Sequence, residues 1–157
     1  MPSLTRAMRR TFRRATLCRP VIRVYDRFAS GNLSLGQRGE IAAERYLLKR
    51  GLVIVARGFE NSFGEIDLIA IDDRTVVFVE VKTRSSDEFG SPAEAVDGSK
   101  QEKLSKTAMA YLHRHRLLEF RARFDVIAIT WPNGQEYPDI EYVPNAFEVV
   151  GDGQMFN

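Results

Sequence analysis

Gly64-Glu65-Ile66-Asp67-Leu68-Ile69-Ala70-Ile71, then Asp72-Asp73-Arg74-Thr75, then Val76-Val77-Phe78-Val79-Glu80-Val81-Lys82-Thr83 is the most apolar stretch of the chain. Two runs rich in Ile, Val and Phe around a short polar turn predict an antiparallel hairpin, since β-branched and aromatic side chains fit a pleated surface. A turn symmetric about Asp73-Arg74 places Asp67 directly opposite Glu80 and Glu65 opposite Lys82. Strand alternation then gathers Glu65, Asp67, Ile69 and Ile71 with Val76, Phe78, Glu80 and Lys82 on one face. Opposed carboxylates with Cβ atoms ~5 Å apart repel, and a charge buried without a partner costs several kcal/mol. Such a face calls for a cation, and a divalent metal ion is the candidate. The plainer alternative is a Glu65–Lys82 cross-strand ion pair with Asp67 and Glu80 exposed. Apolar residues on both faces argue against that exposure.

The segments on either side predict helices and further strands. Ser34-Leu35-Gly36-Gln37 is an S-x-x-Q capping box, and Lys49-Arg50-Gly51 closes the segment with bases and a glycine cap, bracketing a helix of about four turns. Leu52–Arg57 reads as a short strand. Ser91-Pro92-Ala93-Glu94 opens a short helix, and Ser99-Lys100-Gln101-Glu102 opens another that runs to about His115. Arg123–Thr130 is a fourth strand, and an Asn133-Gly134 turn leads to a weaker one around Ile140–Val143. The order is helix, three strands, helix, one or two strands, an α/β domain. It spans residues 34–150, between a basic N-terminal arm (1–33) and a frayed C-terminus (151–157).

Composition excludes several classes. The single cysteine, Cys18, leaves no internal disulfide, and two histidines, His113 and His115, make a Cys/His zinc site unsupported. No apolar run approaches the roughly 20 residues that span a bilayer, so the expected setting is cytoplasmic, with no membrane partner. The net charge of +2 divides unevenly. Residues 1–27 carry eight arginines against Asp26, +7, and residues 28–157 carry 15 bases against 20 acids, −5. The arm reads as a nucleic-acid or acidic-surface contact, as a solvated extension, or as an Arg-rich transit segment.

The helix opened at Ser34 adds a third acid. At 100° per residue, Glu40 and Glu44 fall between Leu47 and Leu48, on a side that faces protein. One belongs with the hairpin acids and the other reaches solvent or an arginine; periodicity alone leaves that choice open. Phosphodiester hydrolysis needs a hard cation to neutralise charge on the phosphate, and a water made nucleophilic. Carboxylates suit Mg2+ or Mn2+. Asp67, Glu80 and the backbone carbonyl of Val81 are candidate metal ligands, and Lys82 points to the same place to orient or deprotonate water. Asp125, an acid in an apolar strand, reads as structural, paired with Arg123 or Arg84. Gln101 reads either as reaching the site or as a helix-start polar residue. Lys100, Lys103, Lys106 and Arg114 give their helix a basic side for phosphate contact or for solvent.

Asp67 followed by Glu80-Val81-Lys82 matches the D-(x)n-E-x-K signature of restriction-endonuclease-like nucleases. The fuller string is more specific: Gly39-Glu40, Gly51, Gly64-Glu65-Ile66-Asp67-Leu68-Ile69, Phe78-Val79-Glu80-Val81-Lys82-Thr83-Arg84, Ser99-Lys100-Gln101, Leu104 and Arg123-Phe124-Asp125-Val126. Over roughly residues 34–148 it closely resembles the YraN-like family of uncharacterised bacterial proteins, which is similar to archaeal Holliday-junction resolvases. Those enzymes carry a helix glutamate eleven residues before the helix-ending glycine, and Glu40 precedes Gly51 by eleven. The resemblance therefore selects Glu40 over Glu44. It implies a restriction-endonuclease-like α/β fold with a central mixed β-sheet flanked by helices, magnesium dependence, and a homodimer acting on DNA.

On this reading Glu40, Asp67, Glu80 and Lys82 are catalytic, Glu40 reaches the metal through water, and Glu65 and Gln101 support the site. Arg84, Lys100 and Lys103 contact nucleic acid. The expected activity is metal-dependent endonucleolytic hydrolysis of DNA phosphodiesters, with branched or structured DNA as the candidate substrate. The alternative from another class is a nucleic-acid-binding accessory protein with weak or lost catalysis. All four nuclease positions are present, which favours the enzyme.

Overall fold

The computed structural model describes residues 33–85, 96–132 and 136–149. The basic arm through residue 32, the Ser91-Pro92-Ala93-Glu94 box, the Asn133-Gly134 turn and the C-terminal segment from residue 150 lie outside them. Among the described residues two helices, α1 (Leu35–Lys49) and α2 (Gly98–His115), accompany five strands: β1 (Val53–Asn61), β2 (Gly64–Asp72), β3 (Thr75–Arg84), β4 (Arg121–Thr130) and β5 (Asp139–Phe147). The sheet order is β1-β2-β3-β4-β5. Only the β3–β4 neighbours run parallel, and α2 lies between them in sequence, as a parallel crossover requires. This is the mixed sheet flanked by helices expected of a restriction-endonuclease-like domain.

Local chemistry sets the element ends. Ser34 caps α1 by a reciprocal box with Gln37. Gly51 (φ +90°) and Leu52 donate back to Leu48 and Leu47 at 3.0 and 3.1 Å, a Schellman ending in which glycine takes the left-handed position without strain. The cap of α2 differs from expectation. Asp97, not Ser99, accepts the Lys100 N–H at 2.8 Å, so α2 begins at Gly98 and Ser99 lies within its first turn. A carboxylate two residues upstream out-competes a hydroxyl for those exposed donors. Strands β1, β4 and β5 each exceed their expected lengths. In β1 the expectation stopped at Arg57, but Gly58 takes φ +55° and carries the strand onward.

The sheet is buried on both faces. Ile69, Ile71, Val76, Phe78, Phe124 and Val126 pack with Leu104, Ala108, Tyr111 and Leu112 of α2. Leu68, Ala70, Val77, Val79, Ile127 and Ile129 pack with Ala43 and Leu47 of α1. Each large side chain so buried contributes about 1.5–3 kcal/mol. Helix α1 approaches the sheet closely because Gly39 lies on Thr83: a Cβ at Gly39 would stand 1.8 Å from Thr83 Oγ1. Gly39→Ala is therefore expected to cost about 1–3 kcal/mol in urea unfolding. Adding Thr83→Ala should restore part of the loss.

Asp125 organises the far side of the sheet. Its side chain is fully buried, and it accepts from Arg123 (Nε at 3.0 Å), from the Tyr142 hydroxyl and from the Asn145 N–H (2.8 Å). Arg123 also reaches Asp72 at 2.9 Å, which ties the β2–β3 turn to β4. The structural role expected for Asp125, and its pairing with Arg123, are what the structure shows.

Candidate functional site

The predicted hairpin register holds from Asp72–Thr75 out to Leu68–Val79, helped by Asp73, which takes φ +51° in the turn. There the ladder stops. β3 continues to pair with β4 through Glu80–Val126 and on to Arg84–Thr130, while β2 continues to pair with β1 through Asn61–Gly64. The two central strands thus part at Asp67 and Glu80, and the charged residues occupy the fork. The Asp67 carboxylate fills it by accepting the Val81 N–H at 2.6 Å, taking the place of a strand partner. The expected Glu65–Lys82 rung does not form, because it lies beyond the last pair. Strict alternation also fails: Ile66 joins the α2-side core whereas Leu68 joins the α1-side core. The break falls opposite the left-handed Gly58 and leaves Asp67 between the two layers.

Glu80 is the most enclosed of these groups, with only 5% of its side chain exposed. Its Oε1 receives two ammonium groups, Lys82 Nζ at 2.9 Å and Lys100 Nζ at 3.3 Å. Its Oε2 is buried and has no hydrogen-bond partner among the described residues. Asn61 Nδ2 and Trp131 Nε1 are also buried without partners, but both are neutral donors. A buried acidic oxygen lacking a donor is an acceptor prepared for something positive.

Asp67 reports the same electrostatics. Its carboxyl is pushed up to about 7, first by burial and then by the Glu80 charge and, more weakly, Glu40; the Val81 N–H and Lys100 oppose the rise. The Glu40 carboxyl is also raised, by partial burial and by Glu65. Glu44 instead forms a two-pronged pair with Arg57, whose Nε donates at 2.6 Å. The helix acids therefore divide as the sequence allowed, one toward the acidic group and one toward an arginine. Between pH about 4 and 7 the folded chain holds a proton on Asp67 that the unfolded chain releases, so ion-free stability falls as pH rises through that window and stays low above it. The difference is on the order of 2 kcal/mol after allowance for solvent screening. In EDTA, Asp67→Asn is expected to melt close to wild type at pH 4, at the lower end of that window, and several degrees above it at pH 8.

The remaining candidates fall at different distances from the fork. Gln101 donates its side-chain amide to the Val96 carbonyl at 2.9 Å, so it secures the approach to α2. Arg84 accepts the Trp131 N–H on its carbonyl at 3.0 Å. Lys103 lies beside Gly64, its Cβ 3.7 Å from where a Gly64 Cβ would stand. Lys100, expected as a nucleic-acid contact or part of a solvated helix side, reaches Glu80 Oε1 at 3.3 Å. Its position follows from the parallel β3–β4 crossover, which sets the first turn of α2 over the outgoing end of β3; no periodicity in the helix announces it.

The donor set suits a hard divalent ion: two carboxylates, one with an unsatisfied oxygen, and a main-chain carbonyl at Val81. Among the described residues no three Asp, Glu, His or Cys groups form a ready cage. An ion here would be held by few protein ligands and would retain waters, as Mg2+ does.

A family model described as "Uncharacterised protein family UPF0102" matches residues 39–129, a span containing every residue of the fork. A UPF0102 protein of Geobacter metallireducens is 49% identical over 119 residues, covering 76% of this chain and 96% of the relative. One from Rhodopirellula baltica is 44% identical, covering 76% and 74%. One from Rhodococcus jostii is 47% identical, covering 74% and 98%.

Proposed function

We propose, for a chain that belongs to the uncharacterised protein family UPF0102, metal-dependent endonucleolytic hydrolysis of DNA phosphodiesters, with branched or structured DNA as the substrate. The observation that carries this reading is the buried, unpartnered Glu80 Oε2 beside Asp67 and two lysines. The resemblance of Asp67 and Glu80-Val81-Lys82 to the nuclease signature supports it. Asp67, Glu80 and the Val81 carbonyl would hold Mg2+ or Mn2+, with Glu40 reaching it through water. The ion would supply Lewis-acid stabilisation of the phosphate and a more acidic water.

The chain's own groups do the rest. Glu80 anchors Lys82 in the fork, and the Lys82 ammonium orients the attacking water. One P–O bond forms to the water oxygen and one ester P–O bond breaks; the proton the water loses passes to solvent, and the departing alkoxide takes one up from solvent. Glu65, near Glu40, adds negative charge at the rim and so favours cation binding. Arg84 and Lys103 flank the fork as phosphate contacts. A homodimer, as in the resolvases it resembles, would present two such forks to one branched substrate.

The test is one gel: purified protein with four-way, flap and linear DNA in Mg2+, Mn2+ or EDTA, beside Lys82→Ala. Cleavage that needs the ion and disappears in Lys82→Ala supports the nuclease. Binding that persists in EDTA, depends on residues 1–27 and is never followed by cleavage favours the accessory-protein reading.

A further inference from the structure

The fork contains one cation more than the E-x-K pattern supplies. Lys100 Nζ reaches Glu80 Oε1 from α2, while Lys82 reaches the same oxygen from β3. Its backbone is fixed, since its N–H is held by the Asp97 cap and Gln101 ties the preceding turn to Val96. A lysine in the first turn of a helix runs against the helix dipole, which here the Asp97 carboxylate at the cap offsets. What it gains is Glu80, and that oxygen is already satisfied by Lys82.

Charge balance gives the second ammonium a purpose. Two carboxylates and a divalent ion sum to zero. Lys82 adds one positive charge and the outer Glu40 and Glu65 add negative ones, while hydroxide attack on a phosphodiester builds up two negative charges. A second ammonium, Lys100, offsets part of that charge at the inner end of the fork.

We propose that Lys100 is a second catalytic lysine, which exchanges its Glu80 contact for a non-bridging oxygen of the scissile phosphate. The proposal rests on the nuclease reading. It divides the work: Lys82 serves the water and Lys100 the phosphate. Before substrate arrives, Lys100 competes with the ion for Glu80.

The experiment compares wild type, Lys100→Ala and Lys100→Arg in three measurements on the full chain. These are turnover at saturating DNA in Mg2+, DNA affinity in Ca2+, and Mn2+ affinity without DNA. For Lys100→Ala the expected results are a loss of turnover of about a hundredfold, DNA affinity within about threefold, and Mn2+ affinity equal to wild type or tighter. Lys100→Arg should recover part of the turnover. A KM effect with unchanged turnover would reduce Lys100 to a binding contact and overturn the proposal. So would weaker Mn2+ binding together with a lowered melting temperature, which would mark a purely structural role. Wild type active with Lys100→Ala equally active removes this proposal alone. Wild type inert on every DNA removes the nuclease reading, and this one with it.

Discussion

Glu80→Gln is expected to eliminate ion-dependent cleavage, by at least about a thousandfold, while leaving the chain folded. The glutamine keeps the volume of the side chain but neutralises a ligand and replaces one acceptor oxygen with an NH2 group. It also releases Lys82 and Lys100 from the oxygen that anchors both. Losing an ion's charge and the aim of an activating group removes more than either effect alone, since each is worth about two to three orders of magnitude in rate. Stability should change little, because Lys82 and Lys100 remain 29% and 39% exposed and can turn their ammonium groups to water. Turnover and urea midpoint measured on one preparation check both halves. A variant that cleaves normally removes Glu80 from the site, whatever its stability.

Asp125→Ala should produce the opposite pattern, a collapse of stability with no direct effect on chemistry. Removing this buried carboxylate strands Arg123, the Tyr142 hydroxyl and the Asn145 N–H at once. Breaking one side of a buried pair costs about 3–5 kcal/mol, a large share of the 5–15 kcal/mol that holds a domain together. The Arg123–Asp72 contact at the β2–β3 turn should loosen with it. Denaturant unfolding gives the magnitude. A loss below about 1 kcal/mol would mean that the cluster relaxes and finds new partners.

The contrast between these acids shows what could be read in the sequence. Asp125 was legible as structural because Arg123 stands two residues away on the same strand face, a purely local pairing. Its Tyr142 and Asn145 partners were not, because they arrive from β5, whose residues carry no pattern that fixes their register. The β2–β3 register was legible because the polar turn is short and the apolar runs are symmetric about it. The end of that ladder was not legible, because it is set by β4, which holds β3 beyond Val79 while β1 holds β2.

The helix glutamates follow the same rule. Periodicity put Glu40 and Glu44 on one side of α1, and only Arg57, on a different element, draws Glu44 away. The contact of Lys100 with Glu80 was not legible for a comparable reason. Glu80 lies twenty residues earlier, brought close by a crossover that helix periodicity does not encode.

The proposed nuclease activity depends on a cation seated between Asp67 and Glu80. Titration of the full chain with Mn2+ at pH 8, followed by electron paramagnetic resonance or calorimetry, measures that directly. One site per chain is expected, displaced by Mg2+, weakened at least about tenfold in Asp67→Ala and in Glu80→Gln, and weaker at pH 6, where Asp67 holds its proton. Binding that is absent up to millimolar ion, or that survives unchanged in both variants, would contradict the account.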